Sequence, residues 1–255
     1  MQKAEGVVLC GGLGSRLRPL TYYFQKTMLP VGKEQRPILE YILRLLRHNG
    51  IQKAVLLANY KFEQIQNYFG DGGKLGMKLL YVMDDPALEG SGGAILNALR
   101  RGSFSGDATL LVYYGDILTT MDIGRLLERH ESSGAAATLA VSEEYRLSVG
   151  VAHMKGSRIV RFEEKPTMRI NVGTGIMALR PSALKVLSEM SNKKKRLDLM
   201  GDLLPELLKR GERVDGFAFD DFWMDVGSIE AYEKMDHSGL DEAFAHLLRA
   251  PVTKA

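Results

Sequence analysis

Three glycines, two arginines and a lysine crowd into the stretch "CGGLGSRLRPLTYYFQK", which runs from Cys10 to Lys26. Gly11, Gly12 and Gly14 let a backbone turn sharply and bring its amides close to a ligand with no Cβ in the way, which suits a phosphate or the edge of a base. Arginine presents a planar fork to phosphate oxygens and lysine a mobile point charge. Arg16, Arg18 and Lys26 together are able to hold a triphosphate and to neutralise charge that grows on a leaving group. The bland alternatives are a tight strand-to-helix turn for the glycines and ordinary surface positions for the cations.

Two familiar phosphate patterns fail here. A dinucleotide fingerprint, G-x-G-x-x-G, counted from Gly12 and Gly14 would need its third glycine at Leu17. A P-loop needs Ser or Thr after G-K, whereas Glu34 follows Lys33 and Leu75 follows Lys74. Cys10 beside the glycines suggests a nucleophile, but the first histidine in the chain is His48, so no base lies near it in sequence.

The elements that position these residues are legible in the apolar pattern. "GVVLC", "AVLLANY", "KLLYVM", "TLLVYYGD" and "AATLAVS" are short, rich in branched or aromatic residues and bounded by glycine or polar residues, as buried strands are. Between the first two, Ile38, Ile42, Leu45 and Leu46 recur at helical spacing and Gly50 marks a C-terminal stop. "KFEQIQNYFGDGGKLG", "GGAILNALRRG" and "DIGRLLERHESSG" are the next helical candidates. Strand and helix therefore alternate, the pattern of a mostly parallel sheet with helices on both faces. Beyond about residue 145 the pattern predicts shorter strands ("GVAHM", "RIVRFE", "VGTGIMAL"), then two helices, then "DGFAFDDFWMDVGS" and one closing helix. The run Lys193 to Arg196, "KKKR", reads as a solvated loop. In an open parallel sheet ligands sit beyond the carboxyl ends of the strands, which is where the glycine stretch begins.

Composition narrows the partners. The chain has 255 residues, 34 basic against 31 acidic, for a net charge of +3, too slight for the concentrated basic face of a nucleic-acid binder. A single cysteine permits no internal disulfide and fits a reducing, cytoplasmic compartment. No apolar run reaches the roughly 18 residues of a membrane span, and "MQKAEG" is not the start of a signal peptide. An oligomer of identical chains is left open.

"LCGGLGSRLRPLT", followed by "QKTMLPVGKEQRP", resembles the signature of the sugar-1-phosphate nucleotidylyltransferases. The resemblance continues in the family's order through "EGSGGAI", "YGD", "FEEKP", "NVGTGIMAL" and "FWMDVGS", covering residues 6 to 235. The family's C-terminal β-helix domain has no counterpart, so what the resemblance implies is the catalytic core. It implies an α/β fold with a doubly wound, mostly parallel sheet of Rossmann-like, GT-A type and a smaller antiparallel sugar-binding region. One nucleotidyltransferase domain over residues 1–255 is expected, with a nucleotide-binding part to about 145, a sugar-phosphate part over about 146–235 and a C-terminal helix and tail over 236–255.

The implied reaction transfers a nucleotidyl group from a nucleoside triphosphate to a sugar 1-phosphate and releases pyrophosphate. By the same resemblance, Leu9, Gly11, Gly12, Gly14, Ser15, Gly90 and Ser91 bind the nucleotide. Arg16 grips the triphosphate, Lys26 bridges to the α-phosphate, and Asp116 and Asp225 hold Mg²⁺. Glu164, Lys165, Asn171 and Gly173 form the sugar-phosphate pocket. Gln25 stands where proline is frequent, and Cys10 where alanine is usual. In "VMDDPALEG", Asp84 or Asp85 is able to accept from guanine N1 and N2 but opposes the acceptor edges of uracil and thymine. "ALEGSGGAI" is also similar to the branch acting on N-acetylmuramate, heptose or mannose 1-phosphates. Two alternatives remain: a non-catalytic nucleotide-sugar sensor, and a cytidylyltransferase acting on phosphocholine.

Overall fold

The computed structural model describes residues 4–147 and 149–248. In chain order its elements are β1 (Glu5–Leu9), β2 (Pro30–Val31), β3 (Arg36–Pro37), α1 (Ile38–His48), β4 (Lys53–Ala58), α2 (Phe62–Phe69), β5 (Lys78–Met83), α3 (Gly90–Arg100), β6 (Leu110–Tyr114), β7 (Ile117–Thr119) and α4 (Ile123–Ser133). There follow β8 (Ala137–Arg146), β9 (Val151–Lys155), β10 (Arg158–Glu163), β11 (Thr167–Leu179), α5 (Pro181–Ser191), α6 (Leu204–Lys209), β12 (Val214–Phe219), β13 (Trp223–Asp225), α7 (Ile229–Glu233), α8 (His237–Ala243) and α9 (Ala245–Leu248).

Seven strands form one sheet in the order β12-β8-β11-β6-β1-β4-β5. β1 is parallel to β4 and β6, β4 to β5, and β12 to β8, while β11 runs antiparallel to both β6 and β8. The sheet is thus mixed, with one reversed strand, and every other strand ends at the same edge. β9 and β10 make a separate antiparallel hairpin.

Successive strand residues serve opposite faces, which is why the strands read as unbroken apolar runs. Val7 and Val112 belong to one core with Ile95 of α3 and Leu187 of α5. Val8 and Tyr113 belong to the other, with Ile42 and Leu46 of α1. α1 ends as its sequence predicts: Gly50 has φ +83, its amide donates to the Arg47 carbonyl (3.1 Å), and the Ile51 amide donates to the Leu46 carbonyl (3.0 Å), a double closure that only a left-handed residue permits cheaply.

Two expectations need correction. The helical candidate over 61–76 is helical only to Phe69, because Gly70 and Gly72 take positive φ and the remainder makes a single 3-10 turn at Gly73–Leu75. The one closing helix is three short ones, restarted by caps: Ser228 Oγ accepts from the Ala231 amide (3.2 Å) and Asp236 from the Ser238 and Gly239 amides (both 3.0 Å). Of the expected C-terminal helix and tail over 236–255, residues 249–255 lie outside the described residues. Among the described residues no helix is long and apolar enough to cross a membrane.

Candidate active site

A cleft of about 670 Å³ opens at the carboxyl edge of the sheet, lined by the turn after β1, by Asn59 after β4, by Asp84 and Asp85 after β5, and by Asp116 after β6. The glycines earn their places for different reasons. Gly14 has φ +60, and a Cβ there would stand 2.6 Å from Thr21 Cγ2. Its carbonyl accepts from Thr21 Oγ1 at 2.9 Å. A Cβ on Gly11 would collide with the Asp84 carboxylate, whereas one on Gly12 would meet nothing within 4 Å, so Gly12 borders open space. Leu9, Ser15, Arg16, Gly90 and Ser91 also line the cleft. Arg16 sits on a 3-10 turn (Ser15–Leu17), exposed, and makes no ion pair among the described residues.

Lys26 begins a second 3-10 turn (Lys26–Met28), and its ammonium donates to the Asp116 carboxylate in a close ion pair, both side chains being largely covered (12% and 23% exposed). Asp225 reaches the same place by strand pairing. β13 lies antiparallel to β7 with Asp225 opposite Ile117, and the Val226 amide donates to the Asp116 carbonyl at 2.8 Å. Loss of surrounding water pushes the Asp225 carboxyl above the ordinary carboxylate range, the nearby Asp116 charge adds to the rise, and Lys26 and Arg16 oppose it. Gly227 makes room for that carboxylate, since a Cβ there would stand 2.6 Å from Asp225 Oδ1.

Asp116 lines the cleft and Asp225, an exposed residue outside its lining, stands next to it; two neighbouring carboxylates of this kind fit a hard divalent cation that takes its remaining ligands from phosphate oxygens and water. Among the described residues no group of three or more His, Cys, Asp or Glu side chains converges, so a closed protein cage is not what they build. Asp84 is half-buried, and desolvation raises its pKa.

Gly115 is a packing glycine: a Cβ would stand 2.6 Å from Thr27 Cγ2 and 2.8 Å from the Leu9 carbonyl. Cys10 is buried, and burial pushes its thiol up to about 12, which removes it as a nucleophile at neutral pH. The Ser91 hydroxyl accepts from the Leu199 amide (2.9 Å) and from Tyr114 Oη (3.1 Å). Its oxygen therefore holds the wall of the cleft together.

Glu164, Lys165, Asn171 and Gly173 are not among the residues lining this cleft. Lys165, at φ +48, points its ammonium to Glu230 on α7 (3.5 Å). Glu164 lies beside Gly150. Asn171 lines a second cavity of about 900 Å³ with Glu144, Asp220, Phe222 and Trp223, and Gly173 packs on Met200 and Leu139.

Sequence reasoning passed over what Gln25 does. It is fully buried, its Nε2 donates to the Cys10 carbonyl, and its Oε1 accepts from the Thr27 amide and hydroxyl (both 2.6 Å). The Gln25 amide in turn donates to Gln64 Oε1 at 2.7 Å. One side chain thus joins the glycine turn to the segment carrying Lys26. Arg196, from the run read as a solvated loop, is also a cleft residue. A polar residue in place of an expected proline was the signal available for Gln25; nothing local marks Arg196.

The model of the family described as "Nucleotidyl transferase" matches residues 5–242. The chain is 30% identical to the D-glycero-alpha-D-manno-heptose 1-phosphate guanylyltransferase of Aneurinibacillus thermoaerophilus, over 90% of this chain and 96% of that protein. It is 31% identical to the mannose-1-phosphate guanylyltransferase of Mycobacterium tuberculosis (90% and 63%) and 28% identical to the UTP–glucose-1-phosphate uridylyltransferase of Synechocystis sp. (89% and 61%). The chain therefore spans under two thirds of the length of the last two. Among solved structures, HddC from Yersinia pseudotuberculosis, complexed with GMP-PN, matches with a TM-score of 0.68 at 20% identity, over 92% of this chain and 97% of that one. A Bacillus anthracis protein crystallised with sucrose matches at 0.71 and 24%, over 97% and 96%. At these identities the structural likeness speaks for the fold.

Proposed function

Because the chain belongs to the nucleotidyl transferase family, we propose that its cleft transfers a nucleotidyl group from a nucleoside triphosphate to a sugar 1-phosphate. A phosphate oxygen of the sugar attacks the α-phosphorus, the bond from that phosphorus to the bridging oxygen breaks, and pyrophosphate leaves. Little covalent chemistry falls to the protein in such a step, so its work is alignment and charge neutralisation. The observation that carries the reading is the Lys26–Asp116 pair lining one cleft with the glycine turn, with Asp225 brought next to Asp116 by the pairing of β13 with β7.

In this reading the Gly11–Gly12 backbone lies against the nucleotide, with Gly12 bordering free space. Arg16, free of an internal carboxylate partner among the described residues, takes phosphate oxygens in its fork. Lys26 exchanges part of its bond to Asp116 for the α-phosphate. Asp116 and Asp225 would hold the metal, which we take to be Mg²⁺, and a bound Mg²⁺ supplies charge neutralisation at the phosphates. Asp84, held against Gly11 and facing the cleft, is our candidate for reading the base. As an ionised acceptor it suits guanine N1 and N2, and both guanylyltransferase relatives above use that base by name. Lys165 and Glu164, on the β10–β11 turn and outside the cleft's lining, remain our candidates for the sugar phosphate. A cytoplasmic setting suits such an enzyme and its unpaired cysteine.

The test is pyrophosphate release from the protein with Mg²⁺, each of five nucleoside triphosphates and a panel of sugar 1-phosphates. We expect release with GTP and one or more acceptors, and a loss of roughly a hundredfold or more in Asp116→Asn and in Asp225→Asn, the scale of removing a preorganised charge partner. Asp122→Asn is the control, because Asp122 only caps α4 through the Arg125 amide (3.0 Å), and asparagine caps equally well. No release with any pair would refute the reading.

A further inference from the structure

The basic run Lys193–Arg196 has the look of a solvated loop in sequence, yet its last residue, Arg196, lines the cleft. Its backbone is strapped along the turn that opens α3: the Glu89 amide donates to the Lys195 carbonyl (3.1 Å), the Leu197 amide to the Glu89 carbonyl (2.9 Å) and the Gly92 amide to the Leu197 carbonyl (2.8 Å). Gly90 permits the approach, for it has φ +81 and a Cβ on it would collide with the Leu197 carbonyl. Resting on the nucleotidyl-transfer reading above, we propose that Arg196 is a nucleotide-binding residue, whose guanidinium engages the phosphates of the bound triphosphate from beside the turn that opens α3.

The side chains of the run divide by partner. Lys194 binds Asp202 at 2.6 Å and Lys195 binds Glu89 at 2.8 Å, so both are spent on holding the loop. Arg196 lines the cleft and has only a loose partner, Asp198, 3.5 Å from its Nε, with 70% of its side chain exposed. Charge in the cleft makes this a consequential cation. Among the described lining residues the acids are Asp84, Asp85, Glu89 and Asp116, and the bases are Arg16, Lys26 and Arg196. Lys26 is already engaged with Asp116. A triphosphate brings several negative charges into a cleft whose acids outnumber its bases, and Arg16 and Arg196 are the lining cations with a fork to offer. If Arg196 served only to anchor the loop through Asp198, its removal would change stability and leave nucleotide affinity alone.

The experiment is calorimetric titration of wild type, Arg196→Ala and Arg196→Lys with GTP, UTP, dTTP, ATP and CTP, each with Mg²⁺ and no sugar phosphate, alongside thermal unfolding of the same proteins. We expect Arg196→Ala to weaken the tightest triphosphate roughly tenfold, the scale of one charge-assisted hydrogen bond. Arg196→Lys should fall between, the gap should narrow in high salt as screening sets in, and the unfolding temperature should hold. Wild-type binding with unweakened binding in Arg196→Ala overturns the inference and leaves the proposed function standing. Failure of the wild type to bind any of the five overturns both. Should Arg196→Ala also unfold at lower temperature, Arg196→Gln decides, because it keeps a hydrogen-bond donor for Asp198 and drops the charge: weakened binding at full stability supports the inference, and unweakened binding overturns it.

Discussion

Replacing Gln25 by alanine should damage both the fold and the rate, and the size of the damage follows from its bonds. The side chain is fully buried and satisfies three groups, the Cys10 carbonyl, the Thr27 amide and the Thr27 hydroxyl. Alanine strands the first two inside the protein, while the hydroxyl is free to rotate. Leaving a buried donor or acceptor without a partner costs about 1–3 kcal/mol, so two of them make a loss of about 2–6 kcal/mol, a large share of a typical domain's stability. Gln25→Glu sharpens the test. The Thr27 amide must donate to Oε1, so the other terminus faces the Cys10 carbonyl and has to donate. A carboxylate there would set acceptor against acceptor and bury a charge. The glutamate variant should therefore be as poor as alanine at pH 8 and recover towards wild type near pH 5, where a protonated carboxyl again donates. Urea unfolding at both pH values measures this from the midpoints. Because Gln25 ties the glycine turn to Lys26, turnover should also fall in the variants that still fold, with a smaller effect on triphosphate binding. An alanine variant with the wild-type midpoint, or a glutamate variant as stable as wild type at pH 8, would refute this account of the clamp.

Gly227→Ala should leave the unfolding temperature nearly unchanged while lowering pyrophosphate release by about a hundredfold, since its Cβ would displace the Asp225 carboxylate rather than any backbone, and misplacing a reacting group's support by an ångström is worth that much. Cys10, with its thiol pushed up to about 12 and buried, should resist iodoacetamide at pH 8 in the native protein and react once urea unfolds it; mass spectrometry of the native sample showing full alkylation would contradict the burial. His130 is fully buried, and desolvation, aided by the Arg180 charge, lowers its pKa from 6.5 to about 4. A group that protonates more readily when unfolded makes stability fall with pH, here from about 6.5 down to about 4, by about 3 kcal/mol in all. His130→Gln, which retains a partner for Thr138 Oγ1, should flatten that limb in urea titrations run at each pH.

The sequence by itself determined the central strands, because a strand buried on both faces has to be apolar throughout, and the apolar run in "TLLVYYGD" is β6, whose first four residues are buried. It also determined the glycine turn with its cations, since φ +60 at Gly14 and the reach of Arg16 are properties of a few adjacent residues. Only the tertiary structure decided what distant segments share. Asp225 meets Asp116 through the pairing of β13 with β7, two strands of three residues each that carry almost no pattern of their own. Arg196 enters the cleft because Gly90 lets the Leu197 carbonyl come close, which a reading of charge runs cannot register. The helix breaks at Gly70 and at Asp236 come from local backbone geometry, a positive φ that ends one helix and a side-chain cap that starts the next. Local propensities and burial periods are written along the chain, whereas a site is built from contacts between residues whose separation in sequence imposes no constraint on their distance in space.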